Sequence, residues 1–589
     1  MYKAILGSFL LAGVMSFSAS AQMPPVFGKE YAGKVRSDSL THRYITPLRI
    51  IWQSDTSGTN IQHADRLLLP DNGQADLSNR NLCLLKNTGS EKAGILLDFG
   101  KELHGGIHIT TGMMKVNKPV KVRIRFGESV SETMSDVSDT LHDATNDHAM
   151  RDFVVQLPWL GSLEMGNTGF RFVRIDLVDP DAELLLKNVT AVFTFRNLPY
   201  LGSFSCSDTL LNKIWMTGAY TVQLNMQDYL WDGIKRDRLV WVGDMGPEVA
   251  TINTVFGYNG VVPKSLDLSR DVTPLPGWMN GISAYSMWWV LIQRDWYYHN
   301  GNKAYLQQQK DYLVKLLDYL IGKIGPDNTE KLDGTRFLDW PSSENPEAVH
   351  AGLQALMVMT LDAGADLCKY LNEPATAAKC RAAIARLKQA VPDPNHSKQA
   401  AALLALSGLM PADKADKTIL SVGGAQHFST FYGYYMLQAQ AKAGNIRGAL
   451  DNIRSYWGAM LNMGATTFWE DFNLDWTKNA FRIDELPIPG KKDIHGDYGA
   501  YCYKGFRHSL CHGWSSGPTS WLTEHVLGVK VVEPGCKAVR ITPQLGDLEW
   551  AKGTFPTPYG LIRISCRKLP GGKTDTKITA PPGVRIIRS

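Results

Sequence analysis

Three carboxylates, three cations and two indoles fall within 14 residues of this chain, Trp231-Asp232-Gly233-Ile234-Lys235-Arg236-Asp237-Arg238-Leu239-Val240-Trp241-Val242-Gly243-Asp244. On a solvated helix such charges form ion pairs at helical spacing. Here the acids are five and seven residues apart, the flanks are apolar and aromatic, and Gly233 and Gly243 interrupt any regular helix. A second acid, Glu470, sits in Gly464-Ala465-Thr466-Thr467-Phe468-Trp469-Glu470-Asp471-Phe472. A carboxyl group among Trp and Phe is partly desolvated, which raises its pKa and suits proton transfer. Glycoside hydrolysis needs two such groups, one to protonate the leaving oxygen and one to serve a water or attack the sugar. Asp237 and Glu470 are 233 positions apart, so only a closed fold brings them together.

The elements that must position them fall into three regions. Residues 22–200 read as short strands. Val120, Val122, Ile124 and Phe126 alternate with Lys121, Arg123 and Arg125, the period of a half-buried strand, and similar runs occur at 106–110, 170–177 and 191–195. Turn residues such as Asn72-Gly73 and Pro180-Asp181 separate them, which suggests a β-sandwich. From 201 to 528 the pattern is helical. Leu313, Leu316, Leu317, Leu320, Ile321 and Ile324 recur at the spacing of one helix face, and further helices are predicted over 348–371, 374–391, 398–409, 430–443, 447–461 and 519–527. A chain of antiparallel helix pairs of this length closes into an (α/α)6 barrel, or forms an irregular solenoid for which no fixed repeat is visible. Residues 529–589 return to strands, at 538–542 and 561–566, and read as a small C-terminal β-sandwich.

Composition narrows the function. The chain has 589 residues, 44% hydrophobic and 20% charged, enough to fold into several domains. The net charge of +5 is small and the cations are scattered, which argues against nucleic acid. The 16 Trp and 22 Tyr supply flat faces that stack on sugar rings, although most aromatics in any protein are core. Lys3, the apolar run Ala4–Val14 and Ala19-Ser20-Ala21 read as a signal peptide, residues 1–21, so the protein is expected to be secreted or periplasmic, with no membrane anchor. None of the eight cysteines forms a C-x-x-C pair, and no His/Cys cluster or calcium loop is visible, so no metal or cofactor is expected. Cys368 and Cys380 read either as a bridge between neighbouring helices or as buried thiols.

The segment Asp232–Asp244 resembles the acidic signature of bacterial α-L-rhamnosidases, glycoside hydrolase family 78. Leu97-Asp98-Phe99-Gly100-Lys101-Glu102-Leu103-His104-Gly105-Gly106, Gly169-Phe170-Arg171-Phe172, Phe337-Leu338-Asp339-Trp340, Thr467-Phe468-Trp469-Glu470, Ser509-Leu510-Cys511-His512 and the stretch from Pro543 to Gly560 are similar, in the same order, to further motifs of that family. The resemblance implies an exo-acting, inverting hydrolase that releases terminal α-L-rhamnose from oligosaccharides or glycosides. It assigns the general acid to Asp237 and the general base to Glu470. Asp232 and Asp244 would bind sugar hydroxyls, Trp241 would pack on the sugar, Asp339 and Trp340 would line the pocket, and His512 would bind a hydroxyl or orient the water. Trp288 is a further candidate platform. One departure stands out. The family signature reads Arg-Asp-Glu-Arg-Leu with Glu as the acid, whereas Arg236-Asp237-Arg238-Leu239 is one residue shorter and offers an Asp. Glu248 is the nearest alternative acid. The shortened loop leaves a catalytically weak or inactive rhamnoside-binding protein as one alternative. A uronic-acid lyase that uses Arg236 and Arg238 is another.

Overall fold

The computed structural model describes residues 40–77, 80–137, 146–501, 503–571 and 573–588; the expected signal peptide and Cys502 lie outside them. Between Leu40 and Arg196, nine strands join in one hydrogen-bonded sheet. Val120–Gly127 is a strand with Val120, Val122 and Ile124 buried and Lys121 exposed, as its alternation requires. The 18-residue strand Gly94–Thr111 keeps Gly161–Leu177 on one edge and changes partner on the other, from Arg49–Gln53 to Glu183–Arg196. The apolar core of this region includes Ile107, Phe170, Ile175 and Phe193. It also takes in Tyr220, Leu224, Ile234 and Cys511 from the helical region, so Ile234 plugs the acidic segment into the sheet. The short helix α1 (Val130–Met134) follows Val120–Gly127, with Ser129 accepting the Glu132 amide at its N-cap.

The central region carries α2 (Thr209–Asn225), α3 (Met245–Val255), α4 (Val261–Asp271), α5 (Ser283–Asn300), α6 (Lys303–Gly322), α7 (Pro346–Tyr370), α8 (Pro374–Leu387), α9 (Lys398–Ser407), α10 (Ala412–Ala415), α11 (Gly433–Lys442), α12 (Ile446–Asn462) and α13 (Gly517–Trp521). Side-chain caps at Asp208, Asn302, Asn345, Ser397 and Asn445 start α2, α6, α7, α9 and α12. Gly301, at φ 68°, ends α5. The predicted helical stretches match these elements within a few residues, the largest difference being the last, predicted over 519–527, where α13 ends at Trp521 and a π-helical turn continues over Leu522–Val526. Helices α3, α5, α7, α9, α11 and α13 each pack against the next, and α13 returns to α3, so the six close a ring. Among the described residues no helix is long and apolar enough to cross a membrane.

The C-terminal strands form two sheets. Val529–Glu533, Ala538–Ile541 and Arg585–Arg588 make one; Trp550–Thr557, Gly560–Lys568 and Thr574–Thr579 make the other together with Ser203–Cys206, which precedes α2. The last pairing ties the entry of the helical region to the end of the chain. The seven described cysteines, Cys368 and Cys380 among them, are free and buried.

Candidate active site

The residues just before the ring helices converge on one cavity of ≈ 240 Å³. Asp232, Asp237, Trp241 and Asp244 reach it from the segment before α3, Tyr285 from the first turn of α5, Trp340 from the loop before α7, Glu470 from the loop after α12, and His512 and Trp514 from the loop before α13. Helix N-termini carry partial positive charge, which favours acids placed there.

Asp237 is the more exposed of the two carboxyl groups, its side chain 18% exposed against 3% for Glu470. Arg236 Nε donates to Asp237 Oδ1 at 3.1 Å, and the Trp241 indole N–H donates to Oδ2 at 3.2 Å. His148, from the N-terminal region, brings Nε2 to 3.3 Å of Oδ1. Glu470 is held by the backbone amide of Ser509, which donates to Oε2 at 3.0 Å, while Oε1 faces His512 Nε2 at 3.5 Å. Burial pushes the Glu470 carboxyl above its ordinary pKa, against the opposing pull of Arg236 and His512.

His512 is the electrostatic centre. Its Nε2 lies 3.5, 3.8 and 3.5 Å from the carboxylates of Asp232, Asp244 and Glu470. Burial alone would lower its pKa, but the three carboxylates outweigh burial and hold it up to about 9, so the imidazole is cationic at neutral pH. The ring rests on Trp514 at 4.4 Å. Asp244 accepts from the Tyr285 hydroxyl at 3.1 Å, and burial raises its carboxyl well above the usual range.

Several candidates occupy places that the sequence did not foretell. Asp232 lines the cavity, but both its oxygens serve its own loop: the amides of Asp237 and Leu239 donate to Oδ2 and Oδ1 at 2.9 and 3.0 Å. Its carboxylate therefore shapes the turn that presents Asp237. Asp339 does not line the cavity. It caps a helical turn, Oδ1 accepting from the Ser342 amide and hydroxyl at 3.1 and 2.6 Å, and Oδ2 from Gln399 and Ser429 at 3.0 and 2.6 Å. That capping orients Trp340, which does line the cavity and stacks on Tyr501 at 5.8 Å. Trp288 lies outside the lining, packed against Tyr435 at 4.6 Å as a core residue. Glu248 is fully buried behind Asp232 and Asp244, away from the cavity. Sequence reading offered Arg236 only as the cation of the lyase alternative and Phe337 only within its motif, and it missed Tyr285, Tyr503 and Trp514 as lining residues. Trp514 and Tyr503 flank the His512 motif, and their aromatic character was the available signal.

One group of ligand-type atoms stands near the site. Glu128, Glu132 and His495 offer atoms within 4.8 Å of one another. The Lys235 ammonium lies 3.0 and 3.2 Å from the two carboxylates, and both His495 nitrogens are engaged, by Ser129 and by the His508 carbonyl. Lys235, with Arg151 paired to Glu132, supplies the positive charge there.

Residues 199–419 match the family model described as the bacterial alpha-L-rhamnosidase 6 hairpin glycosidase domain, and residues 528–587 match the bacterial alpha-L-rhamnosidase C-terminal domain. An alpha-L-rhamnosidase of Alteromonas sp. (strain LOR) is 23% identical over 539 residues, covering 83% of this chain and 55% of its own length. The chain spans about half the length of the curated relatives it matches. Among solved structures, the GH78 family rhamnosidase of Bacillus sp. GL1 superposes with a TM-score of 0.72 at 22% identity, covering 90% of this chain and 55% of that one. A rhamnosidase from Klebsiella oxytoca, with rhamnose bound, gives a TM-score of 0.65 at 18% identity, covering 82% and 96%. Residues 199–419 and 528–587 are thus similar to two domains of bacterial α-L-rhamnosidases, and the fold is shared with solved rhamnosidases of glycoside hydrolase family 78.

Proposed function

We propose that the protein is an exo-acting, inverting α-L-rhamnosidase, with Asp237 as general acid and Glu470 as general base. The observation that carries this reading is the convergence of both carboxyl groups on one small cavity, the first partly exposed and the second buried. At ≈ 240 Å³ the cavity is smaller than the roughly 300–1,000 Å³ clefts that take drug-sized ligands, which favours one terminal sugar over an internal chain segment. The closed ring of α3, α5, α7, α9, α11 and α13 supports the reading of the central region as an (α/α)6 barrel.

The chemistry follows from placement. The leaving glycoside points toward the more exposed Asp237, which protonates its oxygen. Glu470, fixed at Oε2 by the Ser509 amide, uses Oε1 to take a proton from a water on the opposite face of the ring. The His512 cation keeps Glu470 ionisable despite its burial. Inversion needs the two carboxyl groups roughly 6.5–9.5 Å apart to admit that water. Asp244 and Tyr285 are placed to bind sugar hydroxyls, and Trp241 and Trp340 offer apolar faces to the ring. The signal-peptide pattern at residues 1–21 supports export, where rhamnose-containing glycans would be met.

The test is release of L-rhamnose from an aryl α-L-rhamnoside by the wild type, Asp237→Asn and Glu470→Gln. General acid–base groups contribute about 10²–10⁴-fold, so each variant should lose at least a hundredfold in kcat. Equal turnover by wild type and variants would refute the roles. Tight rhamnoside binding without turnover by the wild type would make the protein a sugar-binding member of its family.

A further inference from the structure

The N-terminal sheet and both catalytic loops share one buried ionic cluster that the chemistry above does not use. Glu128 and Glu132 lie just before and within α1, with fully buried side chains. Both face Lys235 Nζ, at 3.0 and 3.2 Å, and the ammonium also donates to the carbonyls of Phe506 and His508 at 2.8 and 2.5 Å. Lys235 is two residues before Asp237. On the other side, Glu128 Oε2 accepts the Leu510 amide at 2.6 Å, and the neighbouring Ser509 amide holds Glu470 Oε2 at 3.0 Å. A single carboxylate of the sheet region thus reaches the acid through one ion pair and the base through one amide.

Two further contacts run the same way. Ile234 and Cys511, each beside a cluster residue, are fully buried in the core of the sheet. At Gly169 a side chain would collide with Ile234 and the Lys235 amide, at 2.8 and 2.9 Å, so this glycine lets the acidic loop seat directly on the strand. The start of the base loop is also fastened to the sheet: Arg171 donates to the Gly464 carbonyl at 3.1 Å, and the Thr466 hydroxyl accepts the Glu102 amide at 2.9 Å. Buried ion pairs are poor sources of stability compared with apolar packing of the same volume. Their use here is geometric, because a site held within about half an ångström needs a rigid supporting shell.

We propose that Glu128, Glu132 and Lys235 are positioning residues through which the N-terminal sheet fixes the separation of Asp237 and Glu470. The inference rests on the acid and base roles proposed above and adds that the sheet is part of the catalytic apparatus. The test compares wild type, Glu128→Gln, Glu132→Gln and Lys235→Met on two substrates, a dinitrophenyl and a methyl α-L-rhamnoside. A 1 Å misplacement costs about a hundredfold in rate. Glu128→Gln should therefore lower kcat on both substrates at least about tenfold with KM within about threefold. Lys235→Met should lose more on the methyl than on the dinitrophenyl substrate, because only the poor leaving group needs a well-placed acid. If Lys235→Met does not fold, the two Gln variants carry the test. Crystal structures of wild type and Glu128→Gln give a readout independent of turnover, and the carboxyl separation should change by at least about 0.5 Å. A folded Glu128→Gln variant with wild-type kcat, or with an unchanged separation, would overturn the proposal. A wild type that releases no rhamnose would instead refute the hydrolase reading, and the measured separation would still decide the positioning role.

Discussion

Removing the His512 cation should move the pH dependence of catalysis in a direction that the geometry fixes. The imidazole stands within 3.5–3.8 Å of three carboxylates, which hold its pKa up to about 9 from an ordinary 6.5. At about 1.4 kcal/mol per pH unit, that rise corresponds to about 3 kcal/mol of net favourable interaction. Glu470 is one of the three partners, and the His512 cation in turn draws its carboxyl pKa down against the effect of burial. In His512→Gln the charge is gone, so Glu470 binds its proton more tightly. A base must be deprotonated to act, so the acidic limb of kcat/KM should shift upward. The assay is rhamnose release from an aryl α-L-rhamnoside between pH 4 and 9, by wild type and variant. Stability carries the same signature. The folded pKa of His512 lies above the unfolded one, so its contribution is complete below pH 6.5 and is lost as pH rises through about 9. The difference in unfolding free energy between wild type and His512→Gln should shrink across that window. An acidic limb that stays in place, or moves downward, would refute the electrostatic role assigned to His512.

Other perturbations separate chemistry from scaffolding. Trp241→Phe removes the N–H donor to Asp237 Oδ2; a hydrogen bond to a charged group contributes about 1.5–3 kcal/mol, so kcat on an alkyl rhamnoside should fall roughly tenfold or more while thermal stability changes little. Asp339→Ala strips the partner from Ser342, Gln399 and Ser429. Leaving those buried groups unpaired should cost at least about 3 kcal/mol of stability, read from urea unfolding, along with a raised KM as Trp340 shifts. Gly513→Ala drives a methyl group into the carboxyl of buried Glu248 and the Asn225 amide, which should lower stability by about 1–3 kcal/mol, read as a fall in Tm.

Much of this arrangement is legible in the sequence, for reasons that particular residues make plain. Period-two alternation at Val120–Phe126 and helical periodicity at Leu313–Leu320 report burial directly, so those elements fall where the pattern puts them. The uneven spacing of Asp232, Asp237 and Asp244 marked a loop. The Trp and Phe around Glu470 marked a desolvated acid, and all four line one cavity. What the sequence does not carry is the direction in which a polar side chain turns. Asp232 spends its oxygens on its own loop, and Asp339 folds back on Ser342, because nearby amides were available as donors. Trp288 sits beneath Tyr285 on the same helix but packs on Tyr435, a contact made by an element far along the chain. The pairing of Ser203–Cys206 with Trp550–Thr557 joins residues more than 340 positions apart, and Lys235 meets Glu128, 107 positions earlier. No local pattern encodes such partners.

The most direct test of the central claim is the stereochemistry of the first-formed product. Proton NMR during rapid turnover of an aryl α-L-rhamnoside distinguishes the two anomers before they equilibrate. The proposed inverting mechanism requires β-L-rhamnose first, because in it Asp237 and Glu470 act from opposite faces of the sugar. Appearance of α-L-rhamnose first, or no rhamnose at all, would contradict it.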